Sequence, residues 1–320
     1  MDMTPDRIIL GTRGSELALT QTATVTDLLR VAHPGLGIQR EVIQTTGDKR
    51  QDLRFAQFAE ATLVDKGIFI KELEQALSER RIDAAVHSLK DLPSELAAGF
   101  ALGAILPRAA VEDVLVSQRF SALDELPRGA RVGTSSVRRA AQLKMLRPDV
   151  EIVEIRGNVP TRVRRVIGAD RLDAVLLAAA GLQRLGLMCG EVIEIEGWQL
   201  KAIALSVDVF LPAAGQGAIA VECRQDDQAA LQALAALHDP HTALRVRAER
   251  EFLRLLGAGC QTPVGLHTWI DQGVLGMRVR VFNEQDLGAE PVEGSLQGRA
   301  DSPEQLAAEL VSALGLKRLR

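Results

Sequence analysis

The sequence predicts an α/β protein with two βαβ domains followed by a smaller α+β module. Three observations carry that prediction. At 320 residues the chain is too long for one ordinary hydrophobic core. Through the first two thirds, short apolar runs alternate with segments of helical periodicity, and the alternation starts afresh after Val114, which implies parallel βαβ units built twice. The last part of the chain is patterned differently. There a long helical segment precedes strand-like segments and a closing helix, as expected of antiparallel strands in an α+β module.

The elements follow in order. Arg7–Leu10 reads as a strand, and Ser15 as the N-cap of a helix that His33-Pro34-Gly35 ends. Residues 38–45 form a second strand. Ile68, Leu73 and Leu77 predict a helix over 68–81, and 82–89 is a strand of buried type. The second unit gives strands at 114–116, 131–133, 151–155 and 173–178, with helices at 136–146 and 160–167. Pro127 and Gly129 mark 119–130 as a surface connection. Residues 186–208 are apolar but irregular and receive no assignment. Leu211-Pro212-Ala213-Ala214-Gly215-Gln216-Gly217 is a glycine-rich turn into a strand at 218–223. A helix at 241–256 then leads to strands near 262–267, 275–282 and 292–297 and a helix at 303–315.

Composition narrows the function. No run of about 18 apolar residues occurs, so no membrane span is expected. The acidic start, Met1-Asp2-Met3-Thr4-Pro5-Asp6-Arg7, lacks the basic and apolar stretches of a secretory signal, and a cytoplasmic protein is expected. Cys189, Cys223 and Cys260 are odd in number and far apart, which favours free thiols over a disulfide framework. His238 and His241 have helical spacing but no third ligand nearby, so no metal site is expected. The net charge of −4 and the absence of tyrosine speak against nucleic-acid binding. Yet from Arg128 to Arg171 there are eleven basic residues against four acidic ones, and ten of the eleven are arginines. Such a patch attracts anions, carboxylates and phosphates above all.

Chemistry-bearing residues sit where strands end, the crevice-lining position of an open α/β sheet. A buried strand ends in Val86-His87-Ser88-Leu89-Lys90-Asp91-Leu92-Pro93, placing a carboxylate beside a cation. Read without function, this is a turn-forming Asp with a solvated Lys. Read functionally, Asp91 can stabilise positive charge on a reacting group and move a proton. In Gly133-Thr134-Ser135-Ser136-Val137-Arg138-Arg139, a serine cap explains the hydroxyls, but two arginines in a first helical turn oppose the macrodipole and point to a bound anion. Ile155-Arg156-Gly157-Asn158-Val159-Pro160-Thr161-Arg162 repeats that arrangement, and Thr12-Arg13-Gly14-Ser15 adds an arginine in the first unit. Several such sites favour a ligand with many carboxylates. Finally, Gly257-Ala258-Gly259-Cys260 offers a cysteine on a small-residue loop, where a thiol is accessible rather than inert.

Together these segments resemble the porphobilinogen deaminase (hydroxymethylbilane synthase) family. The matching stretches also include Phe69-Ile70-Lys71-Glu72-Leu73-Glu74, Ala180-Gly181-Leu182-Gln183-Arg184-Leu185-Gly186, Pro212–Gly217 and Glu249–Gly265, and they span almost the whole chain. The resemblance implies a transferase of tetrapyrrole (porphyrin and heme) biosynthesis, and a monomer is expected because a cleft between two domains of one chain needs no second chain. Such an enzyme joins four porphobilinogen molecules head to tail, releases ammonia each time, and frees hydroxymethylbilane by hydrolysis. Its primer is a dipyrromethane cofactor linked by a thioether to a cysteine, here Cys260. Asp91 matches the catalytic carboxylate. Lys90, Ser135, Ser136, Arg138, Arg139 and Arg184 match cofactor-binding positions, and Arg13, Ser15, Arg156, Arg162 and Lys66 match substrate-binding ones.

The implied architecture is a pair of periplasmic-binding-protein-type-II-like domains, 1–107 with 207–235 and 108–206, plus a third domain over 236–320 that carries Cys260. Two departures stand out. The loop around Lys66 reads Val64-Asp65-Lys66-Gly67 where the family commonly has two glycines before the lysine. The glycine pair before the cysteine reads Ala258-Gly259, and a positive φ at residue 258 would cost alanine about 1 kcal/mol. Two other readings compete: an anion receptor without catalysis on the same scaffold, and an unrelated cysteine-nucleophile transferase using His267. The first leaves Lys90-Asp91 and the Cys260 loop unexplained; the second needs a base near Cys260, and His267 is the only histidine close in sequence.

Overall fold

A computed structural model describes residues 5–44, 70–168, 171–259, 262–286 and 288–318. The first lobe begins with β1 (Arg7–Arg13), α1 (Glu16–Ala32) and β2 (Gly37–Ile43). Ser15 caps α1 by accepting from the Ala18 amide at 3.4 Å, and the helix ends at His33. After α2 (Lys71–Ser78) come β3 (Ala84–Ser88) and β4 (Phe100–Ile105). The strand β4 went unpredicted.

The second lobe runs through β5 (Asp113–Ser117), β6 (Arg131–Gly133), α3 (Val137–Leu146) and β7 (Glu151–Val153). It continues with α4 (Val159–Val163), β8 (Ala174–Ala178) and α5 (Ala179–Arg184). The unassigned stretch near 186–208 is an antiparallel meander of β9 (Met188–Cys189), β10 (Val192–Ile195) and β11 (Trp198–Ala204). Ile193, Ile195, Leu200 and Ala202 bury one side of it, which accounts for its apolar content.

The chain then returns to the first lobe as β12 (Ile219–Arg224) and α6 (Gln228–Ala235). The strand orders are β2-β1-β3-β12-β4 and β7-β6-β8-β5-β11-β10-β9. Both lobes therefore share one plan, with a strand from the other crossing inserted antiparallel next to the third parallel strand. The expected parallel βαβ units are present, β1 with β2 and β3 and β6 with β7 and β8, inside sheets that are mixed overall. β12 runs antiparallel to both β3 and β4, and β5 antiparallel to β8, because each enters its sheet from the opposite lobe.

The third module consists of α7 (Pro240–Leu256), β13 (Val264–Asp271), β14 (Val274–Val281), β15 (Val292–Arg299) and α8 (Pro303–Ala313). Its three strands form one antiparallel sheet whose inner face packs Leu266, Met277 and Val279 against Phe252 and Leu310. Gly257 ends α7 at φ 65°, the left-handed conformation that glycine adopts without penalty. The positive φ thus falls one residue before Ala258. The non-glycine residues with positive φ, among those described, are Arg80, Glu196 and Gln272. Ala258 carries no such strain and is buried in the core of the module.

The two crossings between the lobes touch at Gly217, whose φ is 85°. A Cβ there would lie 2.6 Å from the Ala109 carbonyl oxygen and 2.8 Å from that of Ala110, so only glycine allows the contact. Arg108, on the first crossing, donates to the Gln216 carbonyl at 2.8 Å and pairs with buried Glu249 of α7 at 3.0 Å. Glu249 also accepts from the Gly215 amide at 2.7 Å, so both crossings are fixed to the third module.

Candidate active site

The Lys90–Asp91 pair stands on a 3-10 turn, Leu89–Asp91, that directly follows β3. Leu89 is buried beneath it and fixes the turn against Gly215. Gly215 has φ 69°, and a Cβ would meet Leu89 at 2.9 Å, so the absence of a side chain lets the turn and the crossing approach. Asp91 stays exposed, and its charge acts on both Lys90 and Arg162.

A narrow cleft of about 80 Å³ lies between the lobes. The first lobe contributes Leu17, Ser88 and Lys90; the second contributes Arg139, Arg162 and Arg184. Ser88 is held by a mutual hydrogen bond with Gln21 of α1, at 2.9 and 3.1 Å. Arg162 donates to the Gly157 carbonyl at 2.8 Å, across a turn in which Gly157 has φ 97° and Asn158 caps α4. Arg184 donates to the Gly217 carbonyl at 2.6 Å, so this arginine rests on the glycine where the crossings meet.

The arginine pair of α3 has an anion of its own. Asp113, wholly buried at the start of β5, accepts from Arg138 Nη1 at 2.6 Å and from Arg139 Nε and Nη2 at 2.9 and 2.7 Å. Gln216 Nε2 adds a fourth bond at 3.0 Å. Arg138 also donates to the Leu211 carbonyl and is buried beside the crossing, whereas Arg139 reaches the cleft. Ser136 caps α3 through the Arg139 amide at 3.4 Å, and the Ser135 hydroxyl donates to the Ile155 carbonyl. Arg156 pairs with Glu154 at 2.7 Å. Arg13 closes β1 and is half-buried.

The cleft is electrostatically crowded. Lys90 keeps contact with water, yet the surrounding walls strip enough of it, with Arg139 beside it, to pull its pKa down to about 8; Asp91 and Asp113 act in the other direction. Partial burial lowers Arg162 and Arg184 as well. Burial pushes the Asp113 carboxyl up, but Arg138 and Arg139 override it and hold it well below the usual range. Lys90, buried Arg139 and half-buried Arg162 and Arg184 gather positive charge around one cleft, with backbone carbonyls rather than carboxylates bonded to Arg162 and Arg184, an arrangement that attracts anions.

The structure thus gathers Lys90, Arg139, Arg162 and Arg184 around the cleft, with Asp91 at its edge. It gives Ser15 and Ser136 capping duties and Arg138 a buried ion pair. Cys260 and Lys66 lie outside the described residues. Sequence reasoning missed Asp113, Gln216 and the Gln21–Ser88 pair. An acid opening the buried run Val114–Val116 was the available signal for Asp113. Among the described residues no group of three His, Cys, Asp or Glu could hold a metal ion.

Comparison with known proteins finds matches over nearly the whole chain. The family model "porphobilinogen deaminase, dipyromethane cofactor binding domain" matches residues 8–232, and "porphobilinogen deaminase, C-terminal domain" matches 243–315. The porphobilinogen deaminase of Syntrophobacter fumaroxidans is 44% identical over 305 residues, covering 94% of this chain and 91% of its own. That of Roseiflexus sp. is 44% identical over 307 residues, covering 96% and 95%. Among solved structures, the methionine-binding protein MetQ aligns over 77% of this chain and 97% of its own, with 12% identity and a TM-score of 0.42, a likeness too loose to argue from.

Proposed function

Since the chain belongs to the porphobilinogen deaminase family, a transferase family of tetrapyrrole synthesis with a dipyrromethane cofactor, we propose how its own residues divide the work. Asp91 is the catalytic carboxylate and Cys260 the thioether anchor. Lys90, Ser135, Ser136, Arg138, Arg139 and Arg184 hold the cofactor; Arg13, Ser15, Arg156, Arg162 and Lys66 hold porphobilinogen. The observation that carries this reading is the convergence of Lys90, Arg139, Arg162 and Arg184 beside the Asp91 turn.

The donor set suits the cofactor. Each pyrrole carries an acetate and a propionate, and charged hydrogen bonds contribute about 1.5–3 kcal/mol each. When bound, the dipyrromethane supplies the pyrrole carbon to which the first porphobilinogen is joined. Arg162, steadied by a carbonyl, keeps its charge for substrate carboxylates, and Arg184, steadied in the same way, keeps its charge for those of the cofactor. Arg139 and Lys90 extend that charge to the cleft floor. Asp91 sits where positive charge develops as ammonia leaves the aminomethyl group. A fixed anion there lowers the barrier without reorganising, because its position is set by the buried Leu89.

The proposed domains are 1–107 with 207–235, 108–206, and 236–320. Both walls of the cleft come from the two lobes of the same chain, and a monomer is proposed because the cleft then needs no second chain. A cytoplasmic location without membrane or nucleic-acid partners fits the net charge of −4 and the lack, among the described residues, of a helix long and apolar enough to cross a membrane.

Intact mass of the purified protein tests the reading. We expect an adduct of two linked pyrroles, restored by porphobilinogen where the protein is isolated without it, and absent from Cys260→Ser. Asp91→Ala should keep the adduct and lose turnover. A folded protein that acquires no adduct refutes the anchor, and near-normal turnover of Asp91→Ala refutes the carboxylate.

A further inference from the structure

A second charged cluster lies outside the cleft. His87 of β3 faces Glu222 of the neighbouring strand β12, with Nε2 and Oε2 2.9 Å apart and side chains only 5% and 0% exposed. The other oxygen of Glu222, Oε1, is buried without a hydrogen-bond partner among the described residues. The pairing of β12 with β4 changes register between Val221 and Glu222, the kind of irregularity that re-aims a side chain. The field of this carboxylate reaches two further charged groups. Glu74 of α2 is raised by burial and by Glu222, with His87 opposing. Arg250 of α7 is lowered by burial, with Glu222 opposing. The apolar surroundings join the same elements: Ala243 and Val246 of α7 pack with Leu89, Ala218 and Ala220.

Each contributing element leads to a residue of the proposed machinery. β3 runs into Asp91 four residues after His87. α7 carries Arg250 ten residues before Cys260. α2 follows, in sequence, the segment that contains Lys66. We infer that Glu222 is a positioning residue, a shared buried anchor that sets α7 against β3 and thereby the reach of the chain tethered at Cys260 relative to Asp91. The inference rests on the proposed roles of Cys260 and Asp91. A tether of fixed origin must bring a longer chain to the same carboxylate at every addition. The offset between α7 and β3 therefore enters each step to a different extent, and altering the anchor changes which covalent intermediate accumulates.

The experiment uses holoenzyme of Glu222→Gln, Arg250→Met and Arg250→Lys, and of the Glu222→Gln/Arg250→Met double variant. Each is given two equivalents of porphobilinogen, and the covalent species are resolved by intact mass. Dipyrromethane loading should stay at the wild-type level and KM within about twofold, while kcat falls between about tenfold and a hundredfold. The mixture of intermediates should shift to a different chain length. The double variant should be no worse than the worse single one, as expected of coupled residues, and Arg250→Lys should lie nearer wild type than Arg250→Met. Without substrate, amides 84–92 should exchange hydrogen faster in Glu222→Gln. A wild-type mixture from Glu222→Gln, or a uniform loss of active protein with the mixture unchanged, overturns the inference. Should Glu222→Gln not fold, identical mixtures from wild type and both Arg250 variants overturn it instead. Absence of any adduct on the wild-type protein would instead refute the proposed anchor.

Discussion

Replacing Asp113 by asparagine removes the charge that two buried arginines share while keeping the side chain's size. Asp113 is wholly buried and receives three bonds from Arg138 and Arg139, between 2.6 and 2.9 Å. Deleting one partner of a buried ion pair costs about 3–5 kcal/mol, since the remaining charge stays desolvated. That is a large share of the 5–15 kcal/mol by which domains are typically stable. The effect should also depend on pH. Burial alone would raise the Asp113 carboxyl, and the arginines override it to hold the pKa well below normal. A group depressed in the folded state stabilises above its unfolded value, near about 3.9, and loses that contribution as pH falls toward its folded value. The difference between wild type and Asp113→Asn should therefore be constant from about pH 8 to 5 and narrow below about pH 4. Urea unfolding followed by circular dichroism, with midpoints and slopes read together, measures it. A difference under about 1 kcal/mol at neutral pH, or one that does not narrow in acid, refutes the argument. In the same variant the Lys90 pKa should drop below about 8, because Asp113 is one of the charges that raise it.

Other outcomes can be checked alongside. Lys90→Met should be more stable than wild type at neutral pH, because the cleft disfavours the Lys90 charge, whose pKa is lowered to about 8. The penalty on a depressed base is present below its folded pKa and gone once the unfolded lysine also deprotonates, near about 10.4, so the advantage should vanish across that interval in thermal melts. Gly217→Ala should destabilise the protein by about 1–3 kcal/mol, through a positive φ of 85° and carbonyl oxygens 2.6 and 2.8 Å from the new Cβ; an unchanged melting temperature would contradict the tight crossing. Ala258→Gly should lower the melting temperature and leave adduct formation intact, since Ala258 is buried and unstrained. A stabilised variant would show that residue 258 needs glycine after all.

How much of this was legible in the sequence depended on how local each signal was. Caps and breakers act within a few residues, so the boundaries of α1, α3 and α7 were close to those observed. The strand direction was not legible. β12 reads as an ordinary strand, and its antiparallel entry depends on a chain that has visited the other lobe. The meander of β9–β11 was hidden because alternation between a packed face and a wet one looks irregular in such short strands. At the site, residue types on consecutive positions were found, whereas partnerships across about a hundred residues, such as Gln216 with Asp113, left no local trace.

That difference explains the arginine pair. Two arginines at a helix start demand an anion, and Asp113 supplies one from the protein itself. The consequence for function is a division among the cations. Arg138, proposed to hold the cofactor, is also bound to the carboxylate and to a crossing carbonyl, and so ties that proposed site to the junction of the lobes. Arg139 shares that carboxylate but still lines the cleft, so it adjoins both the junction and the proposed cofactor site. Arg162 and Arg184 are steadied by carbonyl dipoles, which orient a guanidinium without cancelling its charge. Arg184 leans on Gly217, whose carbonyl also accepts from the Ala109 amide at 3.0 Å, so the cleft wall and the contact between the crossings share one acceptor, with Asp113 binding the arginine pair nearby.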